Sequence, residues 1–336
     1  DELVITGDAP QYGEGGFEFM LADAPVASSG SLSLQLLSDE GQPLSDEIFF
    51  DTSADCQENL VLLNMAQTTS VALASVVEEV TLSGKGMFIW KLQNVEGGNP
   101  DAIASAAAEA DLSFVLIKIA EDDKYYRHIT EDGRDLLPLV IDALHIKGIQ
   151  VWGWHYVRGN NPREEALTGS NRVSELALDG YVISVGTELE NSGDEAGAQI
   201  FMDTIAANLV DLPVAMSAQR YPSYYPDFPV EIFLSGIDYV MPTVYWVGND
   251  NPGQQLRRSI DEYRALIEKM DRDVVIAPIG SAFLENQWFP SASQIDEFMQ
   301  TAYDAGVPAV SFWEWSNARQ RLPDDVWNTI RDFEWE

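Results

Sequence analysis

The chain has 336 residues, 46% of them apolar and 22% charged, a globular composition long enough to bury roughly 75% of its unfolded surface in one large domain beside a smaller one. Its 55 acidic residues against 19 basic ones give a formal net charge of −36, which repels phosphate backbones and anionic lipid heads and argues against nucleic acid and membrane surfaces as partners. A single cysteine, Cys56, excludes an intrachain disulfide framework and a thiolate metal cluster, and reads as a small core residue or a free thiol.

The charge is unevenly spread, because fifteen acidic residues precede Lys85, the first basic one. Such a surface suits a salty or cation-rich exterior and serves plain solubility equally well. No apolar run is long enough to span a bilayer, and no charged-then-apolar leader opens the chain. The expectation is that a signal segment has been removed, the alternative being that the sequence is a fragment.

Residues 1–80 alternate short β-like runs (LVIT, FEFML, SLSLQLL, EIFF, ENLVLLNM, SVALASVV) with turn-rich clusters such as GDAPQYGEGG and SDEGQPLSDE. This spacing predicts a small all-β, sandwich-like accessory or assembly domain. TLSGKG, residues 81–86, reads as a linker.

From residue 87 to the end the pattern becomes apolar strand, polar loop, helix-length amphipathic segment. The predicted strands are 87–92, 114–120, 149–157, 180–186, 214–219, 238–246, 274–280 and 309–315. Helix starts are marked by Asn99-Pro100-Asp101, Asn161-Pro162 and Ser291, and a stop by Gly306; the fifth helix, around Val230 to Leu234, is the weakest. Eight such units predict an α/β fold, a parallel (β/α)8 TIM barrel over 87–336.

The working face of such a barrel lies at the C-terminal ends of its strands. Position alone therefore nominates Lys118 and Glu121, Trp154, His155 and Tyr156, the stretch Ser184 to Glu190, Ser217 and Arg220, Tyr245 and Trp246, and Trp313 to Trp315. Five of the nine tryptophans, Trp152, Trp154, Trp246, Trp313 and Trp315, fall on these strands, where aromatic faces can stack on sugar rings. The plainer reading is that the rings cap the barrel core.

The runs FIWKLQNVEGGNPDAIASAA, VLIKIAED, GIQVWGWHYVRG, DGYVISVGTELE, SAQRYPS, DYVMPTVYW, NPGQQLRRS and SFWEW together resemble a family of bacterial and phage-associated TIM-barrel proteins of the glycoside-hydrolase type, distantly related to lysozyme-like and chitinase-like barrels. The resemblance covers about 250 residues from Gly86 and leaves out residues 1–80. It implies a carbohydrate ligand, cell wall or exopolysaccharide, and a location that is extracellular, at the cell surface or on a virion surface. In that family the fourth strand ends in Asp-Ala-Glu with a further acid beyond, and the last strand ends in an aromatic-acid-aromatic triplet. Here the Asp position is Ser184 and the Glu position Gly186, while Glu188 keeps the acid beyond. The sixth-strand motif has Thr243 where the family has glutamine. Lys118, Arg220 and Trp313-Glu314-Trp315 match.

Glycoside cleavage needs one carboxylic acid to protonate the leaving oxygen and a second carboxylate as nucleophile or base. Residues 184 and 186 share one face of a strand; a serine hydroxyl does not ionise near neutral pH, and glycine offers no group at all. The expectation is a catalytically degenerate barrel, a pseudoenzyme that binds carbohydrate through Lys118, Trp154, His155, Tyr156, Ser217, Arg220, Tyr245, Trp246, Trp313 and Trp315. The alternative is an active polysaccharide or peptidoglycan glycosidase using relocated carboxylates drawn from Glu121, Glu188 and Glu314. A third reading is architectural, with residues 1–80 driving self-assembly. With three histidines, His128, His145 and His155, no His-rich metal centre is expected, and the glycine-containing stretches lack the phosphate-binding patterns, so no cofactor is expected. The loop Val247 to Gly253 is only weakly suggested as a Ca²⁺ site.

Overall fold

The computed structural model describes residues 31–34, 48–51 and 81–335, apart from 131 and 192. The chain divides into two units, 1–78 and 79–336. In the first, Ser31–Leu34 pairs antiparallel with Ile48–Asp51. The rest of the predicted sandwich lies outside the described residues.

The second unit is a closed barrel of parallel strands with helices around it. In chain order the strands are β1 (Gly84–Ile89), β2 (Phe114–Glu121), β3 (Gln150–Val157), β4 (Gly180–Val185), β5 (Val214–Gln219), β6 (Tyr239–Thr243), β7 (Ile279–Ser281) and β8 (Ala309–Trp313). A two-residue strand, Val275–Ile276, precedes β7 and pairs with the start of β6. Each strand pairs with its sequence neighbour, and β8 pairs with β1 to close the ring.

The helices are α1 (Pro100–Glu109), α2 (Leu137–Ile146), α3 (Pro162–Glu175), α4 (Glu195–Asn208), α5 (Val230–Leu234), α6 (Pro252–Lys269), α7 (Ala292–Asp304) and α8 (Asp324–Asp332), with two short helical turns, Thr187–Glu190 and Trp315–Gln320, on the loops after β4 and β8. The sequence signals act as expected: the Asn99 side chain accepts from the Ala102 amide and Ser291 forms a reciprocal capping box with Gln294. At α3 the cap differs, because Asn161 makes no side-chain cap bond.

Alternation along the strands sorts the apolar side chains into two cores. Phe88, Leu116, Trp152, Trp154, Val182, Met241 and Ile279 fill the barrel interior. Ile89, Ile117, Tyr181, Ile183 and Phe312 face the helices. The ring is also tied at its base by Lys85, the first basic residue: its fully buried ammonium donates to the carbonyls of Ile330, Arg331 and Phe333 at 3.1, 2.9 and 2.7 Å, joining β1 to the end of α8. Burial lowers the pKa of this amine.

Three predicted boundaries are corrected. β1 begins at Gly84, inside the stretch read as a linker, and ends at Ile89, because Leu92 to Asn94 turn into a short helical bend. β6 stops at Thr243, after Pro242, whose ring nitrogen carries no proton for a ladder bond. β8 stops at Trp313, since Glu314 caps the following turn, accepting from the Ser316 and Asn317 amides.

Candidate functional site

The site is the mouth at the C-terminal ends of the strands. On β2, Lys118 and Glu121 are three residues apart, which in a regular strand would put them on opposite faces. The register against β3 slips between Lys118 and Ala120, and the extra residue of this bulge returns Glu121 to the face of Lys118. Their side chains meet, with Lys118 Nζ donating to Glu121 Oε2 at 2.7 Å.

The other Glu121 oxygen accepts from Arg158 Nη2 at 2.6 Å, and Arg158 Nη1 donates to Glu188 on the turn after β4. Arg158 is set in place by Glu165 of α3, a fully buried side chain whose carboxylate accepts from the amides of Arg158, Gly159 and Asn161 at 2.7, 3.1 and 3.0 Å. One alternating charge chain, Lys118, Glu121, Arg158, Glu188, therefore runs across the ends of three adjacent strands.

Aromatic rings wall the mouth beside it. Lys118 Nζ lies 4.5 Å from the Tyr126 ring centre, 5.1 Å from Trp154 and 5.5 Å from Trp90. Trp313, half-buried, packs 5.3 Å from Trp154 and 6.5 Å from Trp90, and the Trp154 Nε1 donates to the Ile89 carbonyl at 3.0 Å, fixing the ring. Trp90 is 45% exposed. The Arg158 guanidinium lies 5.1 Å from the Tyr156 ring. Such rings present rigid apolar faces at small entropic cost.

The charges are tuned by these contacts. Burial lowers the Lys118 pKa against the opposing effect of Glu121. Glu121 is held below the usual carboxylate range, first by its hydrogen bond from Lys118 and then by Arg158, and Glu188 by its own backbone amide and by Arg158. Two oxygens on one guanidinium lie no more than about 7 Å apart, inside the span that glycosidases use, but both acids are biased toward the ionised form. Glu190, at the end of the same turn as Glu188, behaves oppositely: it is 6% exposed, and burial, with the charge of Glu188, pushes its pKa up to about 7. Glu190 was nominated from sequence only as the end of the stretch Ser184 to Glu190, with no role of its own, and its burial follows from the turn that also buries Leu189.

Ser184 sits half-buried at the end of β4, level with Ser217 of β5. Gly186 is closed to any side chain, because a Cβ there would lie 2.8 Å from the Val157 carbonyl oxygen and 3.0 Å from the Tyr156 ring. An acid at this position would require the end of β3 to move.

Several nominated residues are engaged in contacts within the protein. The Glu314 carboxylate accepts from Ser316 Oγ, the Ser316 amide, the Asn317 amide and Asn317 Nδ2 at 2.6, 3.3, 3.0 and 2.5 Å. Trp315 is fully buried, its Nε1 donating to Glu96 at 3.1 Å. Trp246 is buried against Phe298, 5.3 Å away, because β6 has already ended when the chain reaches it. His155 faces the helical layer, with Nδ1 2.8 Å from the Tyr181 hydroxyl and Nε2 2.7 Å from the Asp122 carbonyl; burial pushes its pKa down to about 4. Arg220 holds the Tyr245 carbonyl at 2.8 Å and the Gln255 side chain, and the half-buried Tyr245 ring packs 5.1 Å from Phe283. Among the described residues, no group of three or more His, Cys, Asp or Glu side chains is placed to hold a metal ion, and no helix is long and apolar enough to cross a membrane.

No family model and no curated protein matches the chain. Solved structures do. The endo-β-1,4-mannanase of Thermotoga petrophila is similar at 11% identity over 74% of this chain and 76% of its own, with a TM-score of 0.56. The GH18 chitinase of Pseudoalteromonas aurantia gives 14%, 73%, 97% and 0.51 in the same order, and the spore cortex-lytic enzyme SleL of Bacillus megaterium QM B1551 gives 8%, 75%, 74% and 0.52. At these identities the likeness is one of fold, a (β/α)8 TIM barrel.

Proposed function

We propose that this protein is a carbohydrate-binding barrel, a glycosidase scaffold that has lost its strand-four acids, acting outside the cell or on a virion surface on cell-wall or exopolysaccharide chains. The observation that carries this reading is the joint state of the mouth: Trp90, Trp154 and Trp313 form a ring wall, while the adjacent strand end offers Ser184 and a Gly186 with no room for a side chain. The fold is shared with proteins described as a mannanase, a chitinase and a spore cortex-lytic enzyme, which supports a polysaccharide ligand. A part for residues 1–80 in assembly belongs to the same proposal and is tested by sedimentation of the full chain at rising concentration.

A second reading is favoured by one contrast. Burial pushes the Glu190 pKa up to about 7, whereas Glu121 and Glu188 are held below the usual carboxylate range, and carboxyl groups whose pKa values are pushed apart are the usual signature of an acid and base pair. Relocated hydrolysis would then use Glu190 as acid with Glu188 or Glu121 as base.

Binding and cleavage of cell-wall and exopolysaccharide fragments, measured side by side, separate the two. The expected result is binding that Trp313→Ala abolishes, with no cleavage. Turnover by the unaltered protein that is lost in both Glu190→Gln and Glu188→Gln would replace the first reading with the second.

A further inference from the structure

Beyond the Trp-lined mouth, the loop after β5 carries a second aromatic platform. Pro222–Tyr224 forms a single helical turn directly after Arg220 and Tyr221, and its Tyr224 ring is 61% exposed. An exposed ring on a loop is ordinarily loose, but this one is clamped. Arg258 of α6 lies 3.9 Å from the Tyr221 ring centre and 4.9 Å from that of Tyr224, and its Nη1 donates to the Tyr224 hydroxyl at 3.0 Å. Tyr221 packs edge-on to Tyr224 at 5.2 Å. Glu262, one turn further along α6, accepts from Arg258 Nε at 2.8 Å and from the Ser223 amide at 3.2 Å, tying the loop itself to the helix.

The arrangement uses two of only 19 basic residues in a strongly acidic chain, since Arg220 also lies 4.7 Å from the Tyr221 ring. Arg258 lies over the ring on one side and binds its hydroxyl, and with Tyr224 61% exposed the remaining ring surface is open to a ligand. A rigid apolar ring face beside a guanidinium and a carboxylate fits the C–H face of a pyranose, with the polar groups meeting its hydroxyls. The strand order places β5 four strands from β1, whose end bears Trp90, so the two platforms stand on opposite sides of the mouth.

We infer that Tyr224 is a second sugar-stacking position, and that the ligand is an extended oligosaccharide crossing the mouth from Trp90 to the β5 loop. This rests on the carbohydrate-binding reading and deepens it to a chain-length preference. The test is calorimetric titration of the full chain with trisaccharides and hexasaccharides of β-1,4-mannose and of N-acetylglucosamine, for the unaltered protein, Tyr224→Ala, Tyr224→Trp and Trp313→Ala. We expect Tyr224→Ala to weaken hexasaccharide binding about 3- to 10-fold and leave the trisaccharide unchanged. Tyr224→Trp should restore the hexasaccharide affinity, and Trp313→Ala should remove binding of both lengths. Hexasaccharide affinity unmoved by Tyr224→Ala, with Trp313→Ala still abolishing it, would overturn this inference alone. An equal loss at both lengths would also overturn it, by placing Tyr224 in the central site. Absence of binding to the unaltered protein would remove the carbohydrate reading itself.

Discussion

Replacing Glu190 by glutamine tests the buried carboxyl on the turn after β4. The carboxyl is 6% exposed, and its pKa rises from 4.5 to about 7, through burial first and the charge of Glu188 second. A folded-state pKa above the unfolded value means that the protonated form is favoured in the native protein. The stability this represents is complete below pH 4.5 and is lost as pH rises to about 7. At roughly 1.4 kcal/mol per pH unit, the ionised side chain costs up to about 3 kcal/mol above pH 7. Glutamine keeps the shape and cannot ionise. Urea unfolding of both proteins from pH 4.5 to 8.5 should give equal stability at the acid end, with the variant more stable at pH 8 by as much as about 3 kcal/mol. The difference should open with the slope of one proton. A difference independent of pH would refute the reasoning, because it would mean that Glu190 is hydrated or ion-paired in the native state.

The buried histidines should act in the opposite sense. His128 and His155 both have pKa values pushed down to about 4 by burial, so acidification from pH 6.5 to 4 protonates them in the unfolded chain first and should destabilise the fold by up to about 3 kcal/mol each, read as proton uptake on unfolding in that window. Lys85→Met leaves three carbonyls, that of Ile330 buried and those of Arg331 and Phe333 partly so, without their donor and is expected to cost about 3 kcal/mol, with faster amide exchange at the end of α8 as the specific readout. Gly186→Ala sets a Cβ against the Val157 carbonyl and should lower stability by about 1–3 kcal/mol, whereas Ser184→Ala, at a half-buried hydroxyl, should change the unfolding midpoint little.

Trp313, Glu314 and Trp315 show why the site was less legible than the fold. Consecutive in sequence and all at the end of one predicted strand, they read as three ligand contacts. In the structure only Trp313 reaches the mouth; Glu314 is spent on four hydrogen bonds within the next turn, and Trp315 is buried against Trp327, 5.2 Å away. Where a strand ends depends on caps formed across a chain reversal, and apolar periodicity carries no record of them. The same holds for Trp246, carried past the end of β6. Trp90 went unnominated because β1 was placed three residues too late.

What the sequence determined by itself was the order of eight strand and helix units, the positions of most helix starts and the absence of an acid at positions 184 and 186. These follow from local patterns, a two-residue period in strands, a longer one in helices, and the side chains that cap them. The tertiary structure alone decided which charges meet. A one-residue bulge turned Glu121 toward Lys118, the buried Glu165 set Arg158 between Glu121 and Glu188, and burial pushed the Glu190 pKa up. Each depends on groups from different strands sharing a space from which water is excluded, and a pKa or an ion pair has no value until that space exists.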